Sequence, residues 1–188
     1  MTAGGGERRH TVLIEWSTPR PVPSRRKDAD LPIRVVIAED EAIIRMDLRE
    51  TLEEEGYEVV GETGRGDEAV DLARELLPYI AILDVKMPGI DGLTAADIIS
   101  REKICGVLIL TAFSQREVVE QARDAGALAY LVKPFQKSDL IPAIEVALGR
   151  FSELVALERE VGDLAERLEA RRLIDRAKGQ LMDNHSLT

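Results

Sequence analysis

From Ile33 onward the chain alternates short apolar runs with segments of helical periodicity. "IRVVIA" (33–38) is apolar and β-branched, and predicts a strand. A helix is expected over 41–55, where Ile44, Leu48 and Leu52 recur four apart and Gly56 supplies a helix stop. "EVVGET" (58–63) predicts a second strand. The segment 66–77 predicts a second helix, with Ala69, Val70, Ala73 and Leu77 on one side and Pro78 after it. "YIAIL" (79–83), "VLIL" (107–110) and "LAYLV" (128–132) read as strands three to five, separated by helices over 93–103 and 114–125. Near-continuous apolar runs, as opposed to strictly alternating ones, imply strands covered on both faces and hence a parallel α/β sheet.

Among open sheets of this kind we adopt the flavodoxin-like order 2-1-3-4-5, which periodicity alone does not select. Ligands of such sheets sit beyond the carboxyl ends of the strands, where the strand order reverses. The last helix is expected to begin near Ser138 as N-cap, with Pro142 in or at the edge of its first turn, and to run to about residue 182. Gly149 and Gly162 fall inside it without accompanying turn chemistry. Leu154, Leu157, Val161, Leu164 and Leu168 follow a 3,4,3,4 spacing, an a/d seam of about two heptads. Arg171 and Asp175 fall at the next seam positions and break it. A helical stalk that pairs with a second copy of the chain is the reading we adopt; the alternative is a helix folded back on its own domain.

The chain has 188 residues with 45% hydrophobic content, enough for one domain plus an appendage. Its net charge of −10 is unevenly spread: +2 over residues 1–30, −10 over 31–150 and −2 over 151–188. The acidic middle argues against a nucleic-acid surface there, and no DNA partner is expected. No apolar run reaches the length of a membrane span, so no membrane partner is expected. Residues 1–30, with a Gly run, three prolines and two Arg pairs, read as a disordered tail. The single cysteine, Cys105, cannot form an internal disulfide; it reads as a small buried apolar residue in a protein of a reducing compartment, here the cytoplasm. His10 and His185 lie in terminal segments and are read as outside any site.

Chemistry gathers at the strand ends. Strand one is followed by Glu39-Asp40-Glu41, strand three ends in Asp84, strand four ends in Thr111 and strand five is followed by Lys133-Pro134. A parallel sheet brings all of these to one edge. Three carboxylates at Glu39, Asp40 and Asp84 repel one another unless a cation lies among them, and hard oxygen donors suit Mg²⁺. Lys133 can balance the remaining charge, and Thr111 offers a hydroxyl. This set matches phosphoryl transfer to a carboxylate. Each residue also has a plainer reading. Asp84 could cap a turn, the acidic run could be a solvated helix start, Thr111 and Lys133 could be ordinary strand-end and surface residues, and Tyr130 could be sheet packing.

"IAEDE", "LDVKMPGIDG", "LTAF" and "YLVKPF" resemble, in order and placement, the signature blocks of two-component response-regulator receiver domains, over about residues 31–150. The resemblance implies that Asp84 is the phosphoacceptor, served by a sensor histidine kinase. It implies Mg²⁺ held by Glu39, Asp40, Asp84 and the backbone carbonyl of Lys86. Thr111 and Lys133 would bind the phosphoryl oxygens, Tyr130 would be the aromatic that turns inward on phosphorylation, and the bond to Pro134 would be cis. Glu39 departs from the Asp-Asp form of the acidic pair by one methylene. Such a protein is a phosphoacceptor that assists its own phosphorylation and dephosphorylation, not an enzyme in the ordinary sense. A related aspartyl-phosphate hydrolase would want an aspartate where this chain has Lys86.

The last segment, "LIDRAKGQLMDNHSLT" (173–188), resembles the opening of an ANTAR output unit, an RNA-binding module of transcription antiterminators, and the receiver blocks resemble those of actinobacterial receiver–ANTAR regulators. Residues 151–172 are then a helical linker. Arg171, Arg172, Arg176 and Lys178, opposed only by Asp175, would form its RNA-binding face. The sequence ends before the second and third helices of such a unit, so this region is expected to be incomplete. Two functions follow as alternatives: a phosphorylation-switched RNA-binding antiterminator, or a receiver module that signals through its C-terminal helix without RNA.

Overall fold

The computed structural model describes residues 32–112 and 116–184, with the side chains of residues 175 and 177–184 outside the description. Segments 1–31, 113–115 and 185–188 lie outside it, and with them the expected disordered tail, both histidines and part of the "LTAF" block.

Five strands, β1 (Ile33–Ala38), β2 (Tyr57–Thr63), β3 (Ile80–Asp84), β4 (Gly106–Thr111) and β5 (Ala129–Val132), alternate with five helices. These are α1 (Ala42–Glu54), α2 (Gly66–Leu76), α3 (Gly92–Arg101), α4 (Arg116–Asp124) and α5 (Lys137–Asn184). All strand pairs are parallel, in the order β2-β1-β3-β4-β5, the flavodoxin-like arrangement expected.

The apolar runs are continuous because successive side chains enter two different cores. Val35, Ile37, Ile80, Ile82, Leu108 and Leu110 pack with Leu48 and Leu52 of α1 and Leu140 and Ile144 of α5. Their strand neighbours Ala38, Ala81, Leu83, Val107 and Ile109 pack with Ala69 and Ala73 of α2, Ala95 and Ile99 of α3, and Ala122 of α4. Period-two alternation is present but invisible as polarity, since neither face meets water.

The sheet places its carboxyl edge by three details. Asp84 and Thr111 are the last residues of β3 and β4, as expected. β1 and β3 pair Ala38 with Leu83, so Glu39 and Asp84 emerge side by side. Gly92 opens α3 close under β3: its amide donates to the Val85 carbonyl at 2.9 Å, and a Cβ there would lie 1.9 Å from the Asp84 carbonyl oxygen. Only glycine permits that approach.

The start of α5 differs from expectation. The helix begins at Lys137, so Ser138 is inside it and is not the N-cap. Gln136 takes the cap position: its carbonyl accepts from Asp139 and Leu140, and the Asp139 carboxylate accepts from the Gln136 amide at 3.0 Å. An acid at the third helical position reaching back to the cap amide also suits the helix dipole, which a serine does not engage. Pro142 consequently sits two residues deeper than expected, within the helix. α5 then continues without break through Gly149 and Gly162, and through the expected junctions near residues 150 and 172. Phe151 and Val155 are its last buried side chains; beyond them every described side chain on the helix is exposed. No helix among the described residues is long and apolar enough to cross a membrane.

Candidate functional site

The structure brings Glu39, Asp40, Asp84, Thr111 and Lys133 to one edge of the sheet. Carboxylate oxygens of Glu39, Asp40 and Asp84 lie within 4.8 Å of one another. Glu39 is 0% exposed and Asp84 5%, whereas Asp40 is exposed at the rim. The Lys133 ammonium reaches across from the end of β5 and lies 2.5 Å from Glu39 Oε2 and 2.6 Å from Asp84 Oδ1. The Lys133 amide donates to the Thr111 carbonyl at 2.7 Å, which fixes where its side chain starts. The Lys133–Pro134 bond is cis, as the resemblance implied. Thr111 is buried beside this edge.

Each carboxylate is also oriented locally. Asp84 Oδ2 accepts from the Lys86 amide at 2.7 Å, leaving Oδ1 to the lysine. Glu39 is tied by its own amide to the Thr63 carbonyl of β2 at 3.0 Å, and its Oε1 accepts from the Glu41 amide at 3.3 Å. The loop after β3 is braced from α2, where the Gly66 amide donates to the Pro88 carbonyl at 3.1 Å. Asp91 caps α3, accepting from the Thr94 amide at 2.7 Å.

Burial dominates the protonation of Glu39. Desolvation raises its carboxyl above the ordinary glutamate range; the hydrogen bond from Lys133 opposes this, and the nearby Asp84 charge adds to it. For Lys133, desolvation pulls the ammonium down, but hydrogen bonds to Asp84 and Glu39 outweigh it and hold it above the usual lysine range. The pocket therefore holds two buried carboxylates and one ammonium, a net negative charge that a cation would relieve. The donor set is all oxygen, in reach of a single point and open at the Asp40 side, which fits a hard divalent ion such as Mg²⁺.

Tyr130 does not face this pocket. It is 47% exposed on β5 and borders a groove of about 470 Å³, lined by Val119 and Ala122 of α4 and Pro142 and Val146 of α5. Arg171, Arg172 and Arg176 are exposed on α5, and the Lys178 side chain lies outside the description. Leu154, Leu157, Val161, Leu164 and Leu168 are all at least half exposed, an apolar stripe along the stalk. Cys105 is buried beneath β4, and burial pushes its thiol up to about 12, so it stays protonated. Two residues were not singled out from the sequence. Gly92 was signalled only by the Asp-Gly pair preceding an apolar periodic segment. Arg45, whose guanidinium donates to the Glu39 carbonyl at 2.5 Å, carried no local signal.

This edge, on this topology, is that of a signalling receiver, and the comparisons agree. The profile of the response regulator receiver domain family matches residues 35–145, and the chain belongs to that family. The transcriptional regulatory protein PdtaR of Mycobacterium tuberculosis is 60% identical over 166 residues, 88% of this chain and 81% of that protein. The chemotaxis protein CheY of Thermotoga maritima is 38% identical over 112 residues, 59% of this chain and 93% of that one. Among solved structures, the receiver domain of the putative response regulator NarL from M. tuberculosis superposes with a TM-score of 0.60 at 29% identity, over 63% of this chain and 97% of that one. Receiver domains are signalling modules, and this chain carries that module.

Proposed function

We propose that this response regulator takes a phosphoryl group from a sensor histidine kinase onto Asp84 and thereby controls transcription through RNA-binding antitermination. The observation that carries the first half is the single ammonium of Lys133 held between Glu39 Oε2 and Asp84 Oδ1. In the reaction, an Asp84 carboxylate oxygen attacks phosphorus, the new O–P bond forms, and the bond from phosphorus to the donor imidazole nitrogen breaks. The imidazole departs with the electron pair of that bond. Lys133 can leave Glu39 for a phosphoryl oxygen without leaving the pocket, and Thr111 lies on the neighbouring strand end to approach another. Glu39, Asp40, Asp84 and the carbonyl of Lys86 would hold Mg²⁺, which when bound neutralises charge on the transferring group.

Phosphorylation would then bias Thr111 and Tyr130 toward the pocket. Tyr130 has room to move, since it stands outward beside the α4–β5–α5 groove. The output half rests on the 60%-identical relative being a transcriptional regulatory protein and on the basic residues Arg171, Arg172 and Arg176 exposed on α5. In this reading residues 31–150 are the receiver, 151–172 a linker and 173–188 the start of the output unit.

The test is incubation of the full chain and of Asp84→Asn with acetyl phosphate and Mg²⁺. Peptide mass spectrometry should find one added phosphoryl group at position 84 in the former and none in the latter. A second reading is favoured by the exposed stripe from Leu154 to Leu168: a homodimer formed through α5 that signals by protein contact alone. RNA retention that increases on phosphorylation supports the first reading; dimerisation with no RNA retention in either state supports the second.

A further inference from the structure

The turn that carries Glu39 and Asp40 enters α1 without the usual side-chain cap: Glu41, at the N-cap position, makes no capping hydrogen bond. Something else must fix the direction in which Asp40 points, since Asp40 is exposed at the rim. The grip comes from one turn further along the helix. Arg45 Nη1 donates to the Glu39 carbonyl at 2.5 Å. With the Glu39 amide bonded to Thr63, its Oε1 to Glu41 and its Oε2 to Lys133, the acidic turn is held at each polar atom of Glu39.

The guanidinium is also hemmed in from the β2 side. A Cβ on Gly64 would come within 3.4 Å of Arg45 Nη1, 3.5 Å of the Asp40 Cα and 3.7 Å of the Glu39 carbonyl oxygen. Arg45 therefore fills the space between the β1–α1 turn and the β2–α2 corner. In a neighbourhood with three carboxylates, it gives this hydrogen bond to a main-chain carbonyl. We propose that Arg45 is a positioning residue for the cation pocket: it holds the Glu39–Asp40 peptide so that both side chains converge with Asp84. This rests on the reading of that pocket as a Mg²⁺ and phosphoacceptor site.

The sign of the effect separates this role from simple electrostatics. A positive charge beside the pocket, taken alone, disfavours a bound cation, so its removal would tighten binding. A positioning hydrogen bond acts the other way, and losing such an outer partner typically weakens metal binding by about tenfold or more. Mg²⁺ affinity of the full chain would be measured by calorimetry for wild type, Arg45→Ala and Arg45→Lys, with thermal unfolding recorded alongside. Weakening by about tenfold in Arg45→Ala, partial recovery in Arg45→Lys, and near wild-type phosphorylation from acetyl phosphate at saturating Mg²⁺ are expected. Equal or tighter binding by folded Arg45→Ala overturns the proposal; should Arg45→Ala not fold, Arg45→Met, which removes the donor but keeps the side-chain length, is read in its place. Wild type that binds no Mg²⁺ overturns the pocket reading and this proposal with it, whereas normal binding by wild type and both variants overturns this proposal only.

Discussion

Lys133 and Asp84 are joined across the sheet edge by a 2.6 Å ion pair, although β4 and its flanking helices separate them in sequence. The same ammonium serves the fully buried Glu39. Removing it leaves two adjacent buried carboxylates without a counter-charge. Breaking a buried pair in this way costs about 3–5 kcal/mol. Lys133→Ala should therefore lose stability on that scale in urea denaturation without divalent ions, and regain part of it as Mg²⁺ is added. A loss below about 1 kcal/mol, the scale of a surface pair, would show that the lysine is not the pocket's main counter-charge.

Glu39 sets the pH response. Its folded-state carboxyl titrates above the ordinary glutamate value, chiefly through desolvation. Between those two values the folded state binds more protons than the unfolded chain, so its contribution to stability falls as pH rises through that window. In metal-free protein, Glu39→Gln should thus be more stable than wild type at neutral pH, with the difference vanishing on acidification below the unfolded value. Mg²⁺ affinity should decline as pH drops through the folded Glu39 range, above where an ordinary glutamate titrates. Calorimetry at a series of pH values reads both; an affinity that holds level until pH falls below 4.5 would contradict the assignment.

Gly92 tests how closely α3 is seated under the phosphoacceptor. A methyl group at 1.9 Å from the Asp84 carbonyl oxygen cannot be accommodated by a side-chain rotation, because the obstacle is backbone. Gly92→Ala should destabilise by about 3 kcal/mol, at the upper end of overpacking costs, and any folded fraction should accept phosphate poorly. Denaturation together with phosphorylation of the soluble fraction measures the two effects. Wild-type values for both would mean that α3 can shift freely.

The stalk should be energetically separate from the receiver. Leu157 and Leu164 are exposed on α5, so Leu157→Glu with Leu164→Glu should change receiver stability by no more than about 0.5 kcal/mol per site. The same pair should abolish any dimer seen by sedimentation. Phe151, buried at the foot of the stalk, should behave in the opposite way: Phe151→Ala should cost about 3–5 kcal/mol. The Lys103–Glu158 ion pair at 2.6 Å, roughly half exposed on both sides, should contribute less than about 1 kcal/mol when Glu158 is changed to Gln.

Much of this was legible in the sequence because the determinants are local. The β-branched runs marked all five strands, and the residues just after them fell at one edge once the strands were parallel, which assembled Glu39, Asp40, Asp84, Thr111 and Lys133. The errors lay where a non-local or weak signal decides. Ser138 lost the cap to Gln136 because a carboxylate at Asp139 competes better for the cap amide. Arg45 had no signal because its partner is a carbonyl, which every residue has. The outward pose of Tyr130 depends on packing of α4 and α5 that no spacing encodes.

α5 has 48 residues, a length of about 72 Å, and its last buried anchorage in the receiver is Val155. The remainder beyond Val155, to Asn184, spans about 44 Å at 1.5 Å per residue. A continuous helix held at one end acts as a pointer. Ten degrees of tilt at the foot carries the tip through about 8 Å, by the same rise per residue. A rearrangement at the sheet edge too small to alter the receiver's outline would thus become a displacement of about 4–5 Å where Arg171, Arg172 and Arg176 reside, growing toward the tip.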